Sequence, residues 1–173
     1  MTAAGAVLQG VDPRHILLHL SEGIPFAATL LSILTVHEFG HYFAARRWGV
    51  SASLPFFIPF PLFLGTLGAL IKIRSPIPDK RALMDIGAAG PLAGLVASLA
   101  LCIIGLSQSS VVQLGNFDPP PIQLGTPLLF NGLSALILPE LGPDQMVLLG
   151  PVAFAGWVGL FVTAFNLFPV GQL

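Results

Sequence analysis

The residues able to do chemistry stand together at His37-Glu38-Phe39-Gly40-His41. On a helix, positions four apart lie one turn along the axis and about 40° around it, so both imidazoles can reach one metal ion. Glu38 is about 100° from His37 and about 60° from His41, still on that face, where it can polarise a water. In an H-E-x-x-H arrangement two neutral imidazoles bind Zn2+ and the carboxylate serves as general base, then general acid, in peptide hydrolysis. The competing reading is a chance grouping on a packed helix. The setting weighs against it, because ionisable groups inside an apolar span are costly and usually functional.

Catalytic zinc usually takes three protein ligands and a water, so a third donor is needed. Asp85 is the first candidate from the residues alone, although an acid at a helix N-terminus is also favoured by the helix dipole. His15 and His19 repeat the four-residue spacing, but no Glu lies between them and they precede the apolar run, where an interfacial amphipathic turn suits them. Asn166 and Pro169 are polar and helix-breaking near the end of the last apolar run. Asn is a poor zinc ligand.

The elements that must hold these residues are membrane elements. Of 173 residues 54% are hydrophobic and 9% charged, with a net charge of −1, and the mean hydropathy is +0.87. An ordinary globular chain carries about 25% charged residues. So few charges cannot cover a water-facing surface, which excludes disordered, disulfide-rich secreted and nucleic-acid-binding classes. The single Cys102 lies in an apolar run and supports no disulfide framework.

Three stretches are long enough for the roughly 20 residues a crossing needs, at about 23–45, 84–106 and 145–168. The first is read as a retained span, because a cleavable signal core would not carry His37, Glu38 and His41. Arg46, Arg47, Lys72, Arg74, Lys80 and Arg81 lie between spans one and two, whereas residues 107–144 hold Asp118, Glu140 and Asp144 and no Lys or Arg. The positive-inside bias puts 46–83 in the cytoplasm and 107–144 outside. His37 precedes Arg46 by nine residues, which sets it about 13 Å inside the cytoplasmic end.

Residues 51–73 are apolar but interrupted by Pro55, Pro59, Pro61, Gly65 and Gly68. No straight helix fits, and irregular backbone at membrane depth must pack on protein or line a cavity. The expectation is a re-entrant loop or hairpin, with Leu67–Ile73 its best strand. Outside, Ile122–Leu138 reads as an interfacial helix after the stiff Asp118-Pro119-Pro120-Pro121 run.

With these residues in view, the chain closely resembles the site-2 protease family of intramembrane zinc metalloproteases, peptidase family M50. The resemblance rests on HEFGHYFAARR at 37–47, LGTLGALIKIRSPIPDKRALMDIGAAGPLAG at 64–94 and FNLFPVGQL at 165–173. The middle block is most similar to the cyanobacterial and chloroplast branch. The resemblance implies that His37 and His41 bind Zn2+, that Glu38 is the catalytic acid/base, and that Asn166 helps to stabilise the oxyanion. It also implies a substrate-binding re-entrant β-hairpin at Gly65, Thr66, Leu67, Gly68, Ala69 and Leu70, extending to Ile73, that holds an unwound substrate helix by strand addition. Gly87, Gly90, Pro91 and Gly94 match a small-residue segment, read as close helix packing of the GxxxG kind and not as catalytic. The family motif opened by Asn166 and Pro169 continues to an Asp that is the third zinc ligand, expected immediately after Leu173. A chain ending at Leu173 is therefore read as an incomplete domain, without activity of its own.

The resulting expectation is an all-α membrane protein: three transmembrane helices, a cytoplasmic-side re-entrant β-hairpin, and an extracytoplasmic loop with an interfacial helix. Its implied activity is zinc-dependent intramembrane cleavage of transmembrane protein substrates within the lipid bilayer, with no nucleic-acid partner. The expected location is a bacterial cytoplasmic membrane, or alternatively a thylakoid or chloroplast membrane, with the active site toward the cytoplasmic side. Two other classes would use the same residues: a non-catalytic module that binds membrane helices through the 64–73 hairpin, and a metal-handling membrane protein. The second would want ligands on several spans, and spans two and three offer almost none.

Overall fold

The computed structural model describes residues 13–59, 66–113, 124–125 and 127–167, with the backbone alone for 13–22, 58–59 and 66–68. Helix α1 runs Pro13–Arg47, strands β1 and β2 are Phe56–Pro59 and Thr66–Leu70, and helix α2 is Lys80–Ser107. Strand β3 (Ser110–Gln113), helix α3 (Leu128–Ile137), strand β4 (Gln145–Leu148) and helix α4 (Pro151–Leu167) follow.

Helix α1 has 35 residues. Three of its hydroxyls cause no deficit in an apolar setting, because they bond a carbonyl one turn back: Thr29 to Pro25, Ser32 to Ala28 and Thr35 to Leu31, at 2.6–2.7 Å. Arg46 and Arg47 occupy its last turn, where cations complement the helix dipole. Gly49 then takes a left-handed φ of 69°, and Val50 N–H closes back on Ala45 O at 2.9 Å. Only glycine adopts that turn cheaply. Helix α2 begins at Asp79, whose carboxylate accepts from Ala82 N–H at 2.8 Å.

Helix α2 is the central element, packing against both α1 and α4, which also touch each other. Small residues make this closeness feasible. A β-carbon on Gly105 would meet the backbone of Ala153, and one on Gly156 would come within 2.7 Å of Cys102 Sγ. The core at this end is Cys102, Leu106, Phe130 and Leu160. At the other end Ala45, Val50 and Ile86 are covered by Trp48 and Ile77. Large apolar side chains such as Phe43, Leu92, Val96 and Phe165 face outward, as on helices solvated by lipid.

Among the described residues, two helical segments, Gly23–Arg47 and Lys80–Ser107, are long and apolar enough to cross a membrane. They agree with the first two expected spans. The third differs. Gln145–Leu148 is a strand, and the helix starts at Pro151 with 17 residues, about 26 Å long. The apolar run at 145–168 has no charge to mark a boundary within it, so its length overstated the helix. Strand β4 pairs with β3 antiparallel, Ser110↔Leu148 through Gln113↔Gln145. The connection between α2 and α4 thus begins and ends in a two-stranded ribbon, and among the described residues the fold is helical with two small two-stranded sheets, a correction to the all-α reading. The helix expected over Ile122–Leu138 is confined to Leu128–Ile137, because Gly125 and Pro127 precede it; residues 114–123 lie outside the described set.

The hairpin at 51–73 is present. Strands β1 and β2 pair antiparallel, Phe56↔Leu70 and Phe57↔Ala69, with an irregularity before Pro59↔Thr66. Its stem continues through the Ala52↔Ile73 bridge, with Ser53 N–H on Lys72 O at 2.8 Å and Arg74 N–H on Ser51 O at 2.7 Å. The strand ends at Leu70, short of the expected Ile73, and Gly65 lies outside the described residues.

Candidate metal centre

His37 and His41 face the same point from successive turns of α1. Their Nε2 atoms are 3.2 Å apart, with ring planes 70° to each other. Two nitrogens bound to one tetrahedral zinc at its usual bond length would be about 3.3 Å apart. The spacing therefore fits a shared ion. The donor chemistry agrees. His41 Nδ1 lies 2.7 Å from the Ile86 carbonyl; a carbonyl only accepts, so the ring's proton sits on Nδ1 and its Nε2 keeps a free lone pair. Together with a Glu38 carboxylate oxygen, the three potential ligand atoms lie within 4.8 Å of one another.

His37 is 3% exposed, whereas Glu38 and His41 are half-buried. These three open on a cleft of about 540 Å³ bordered also by Ala69, Leu70, Ile71, Gly87 and Asn166. The cleft brings α1, the end of β2, α2 and α4 to one place. The Ile71 backbone hydrogen-bonds Glu38, which ties the hairpin to the carboxylate. Asn166 Nδ2 lies 3.4 Å from His37 Nε2, so the last turn of α4 carries an amide to the same point.

Of the residues expected to form the site, His37, Glu38, His41 and Asn166 come together, and Ala69 and Leu70 border the cleft. Thr66, Leu67 and Gly68 lie on β2, with their backbone alone described. Pro169 and Gly65 lie outside the described residues. Asp85 is not brought to the imidazoles. Its Oδ2 accepts from Trp48 Nε1 at 3.1 Å, beside a separate cavity of about 620 Å³ that Arg47 also lines. As the third-ligand candidate it is set aside, since among the described residues the converging donor group is His37, Glu38 and His41 and the Asp85 carboxylate accepts from the indole instead. His15 and His19 fall within the N-terminal part of α1, ahead of the apolar Gly23–Arg47 segment, as expected.

Three contributors were not foreseen. The Ile86 carbonyl and Ile71 amide are backbone groups, invisible in side-chain patterns. The third is the glycine pair on α2. A β-carbon at Gly90 would run into the His41 ring, and one at Gly94 would lie 2.9 Å from His37 Nδ1. These glycines do pack closely, and what they pack against is the imidazoles.

Residues 25–173 match the family described as Peptidase family M50. The chain is 38% identical over 167 residues to "Probable zinc metalloprotease EGY1, chloroplastic" of Oryza sativa subsp. japonica, covering 94% of this chain and 28% of that protein. It is 37% identical over 153 residues to the protein of the same name from Arabidopsis thaliana, covering 87% and 28%. It is 31% identical over 164 residues to "Probable zinc metalloprotease EGY2, chloroplastic" of Arabidopsis thaliana, covering 89% and 28%. No solved structure matches. The chain belongs to peptidase family M50, the site-2 protease family, in its chloroplast-related branch. It spans about 28% of the length of these relatives.

Proposed function

We propose that this chain is the membrane-embedded core of a zinc-dependent endopeptidase that cuts transmembrane helices of membrane-protein substrates. The observation carrying this reading is the pair of Nε2 atoms 3.2 Å apart on α1, with the Glu38 carboxylate beside them. His37 and His41 supply two of the three protein ligands of a catalytic zinc. Zinc bound there would polarise the scissile carbonyl and acidify the attacking water.

Glu38 takes the proton of that water as general base and returns it to the leaving amine as general acid. The Ile71 hydrogen bond holds its carboxylate toward the cleft. Asn166, whose amide already reaches the imidazole pair, donates to the developing oxyanion. A substrate helix must unwind before its carbonyls are accessible, since its own i to i−4 bonds hide them. The end of β2 at Ala69–Leu70 is the edge on which the unwound segment docks by strand addition. His37 is buried, and the half-buried Glu38 and His41 face the cleft through which the attacking water would enter.

The proposed placement is an integral membrane protein with the site toward the cytoplasmic or equivalent face, in a bacterial membrane or a chloroplast membrane. The chloroplast in the relatives' names supports the latter. The test is cleavage of a reconstituted transmembrane peptide by the full-length protein. Cleavage should stop on chelation. Glu38→Gln should keep its zinc and lose roughly 10²–10⁴-fold in rate, and Asn166→Ala roughly 10²–10³-fold. A Glu38→Gln protein that cleaves at the parent rate would contradict the assignment.

A further inference from the structure

The His37/His41 pair on α1 is matched in register by Gly94/Gly90 on α2. Both pairs are spaced i, i+4, and the helices run antiparallel, so His37 meets Gly94 and His41 meets Gly90. At Gly90 an added β-carbon would overlap Nε2, Cδ2 and Cε1 of the His41 ring. At Gly94 it would stand 2.9 Å from His37 Nδ1, 3.2 Å from Thr163 Oγ1 and 3.3 Å from His37 Cβ. The next glycine along the helix, Gly87, would meet nothing within 4 Å, although it borders the same cleft. The notch is therefore confined to the two positions that face the rings.

From this we infer that Gly90 and Gly94 are positioning residues of the metal centre: they form the seats that set the two imidazole rotamers and hold both Nε2 atoms on one ion. The inference rests on the zinc reading above. Ring orientation is otherwise set by two contacts, the bond from His41 Nδ1–H to the Ile86 carbonyl at 2.7 Å and the Asn166 amide 3.4 Å from His37 Nε2. Ile86 lies one turn from Gly90 on the same helix, so α2 supplies both the acceptor that turns the His41 ring and the space that accepts it. A methyl at Gly90 would push the ring away from that carbonyl and break the convergence. One at Gly94 would displace His37 or Thr163. Other glycines of the bundle differ in what they contact: Gly105 meets the Ala153 backbone and Gly156 meets Cys102, neither of which touches the site.

The experiment titrates Co2+ into the metal-free full-length protein in detergent, reading its dissociation constant and the visible d–d bands that report tetrahedral geometry. Gly90→Ala and Gly94→Ala should weaken Co2+ binding roughly 10–100-fold, the range for losing support behind a ligand, and should alter the bands. Gly87→Ala should match the parent in both. Gly105→Ala should lower thermal stability while leaving the Co2+ spectrum unchanged, which separates helix packing from ligand positioning. Should Gly90→Ala fail to fold, Gly94→Ala decides the matter, its obstruction being the milder one. Parent-like affinity and spectrum in Gly94→Ala, with binding abolished in His37→Ala, overturn the inference and leave the zinc reading intact. Full Co2+ binding in His37→Ala would instead overturn the zinc reading itself.

Discussion

Glu38, His37 and His41 sit on one helix, but each is oriented by a group from another element. Ile86 O turns the His41 ring, Ile71 bonds Glu38, and Gly94 admits His37. The convergence of the two imidazoles was legible because a four-residue spacing has one geometric meaning on a helix. Its supports were not, because backbone acceptors carry no residue signature. Asp85 shows the converse limit. Its type suits a ligand and its position near a span entrance is right, yet the indole of Trp48 holds it elsewhere, and no periodicity foretells that contact. The glycines were half legible: close packing follows from G-x-x-x-G, whereas the identity of what is packed becomes clear only once the helices are set antiparallel in register.

At the level of elements, the two strand pairs contrast. The β1–β2 hairpin was readable because Pro55, Pro59 and Pro61 forbid a helix where the chain is too apolar for an exposed loop. The β3–β4 ribbon was hidden, since Gln145–Leu148 continues into the apolar sequence of α4 and short apolar runs do not distinguish strand from helix. Strand β2 is the element on which the docking proposal depends. Leu70 pairs with Phe56 and is itself exposed. Leu70→Pro removes a ladder N–H and disturbs the pairing. Its zinc content should equal the parent's, because no ligand lies on β2, while cleavage of a helical transmembrane substrate should fall at least about tenfold. Metal analysis beside the cleavage assay checks this, and parent-like cleavage would remove the hairpin from substrate binding.

For the whole molecule, the cations define a polarity. Arg46 and Arg47 end α1, Lys80 and Arg81 begin α2, and Lys72 and Arg74 follow β2, so the metal centre and the hairpin share the basic end. The β3–β4 ribbon lies beyond the opposite end of α2. By the positive-inside bias, Ser110→Cys, an exposed position in a Cys102→Ala background, should be labelled by an impermeant reagent only from the non-cytoplasmic side; labelling from the cytoplasmic side alone would invert the topology. The claim on which everything else stands is that this bundle presents a zinc site built on His37 and His41. Metal analysis of the full-length protein purified in detergent tests it most directly. The account predicts about one zinc per chain in the parent and essentially none in the His37→Ala, His41→Ala double variant at unchanged fold; an undiminished zinc content in that variant would contradict it.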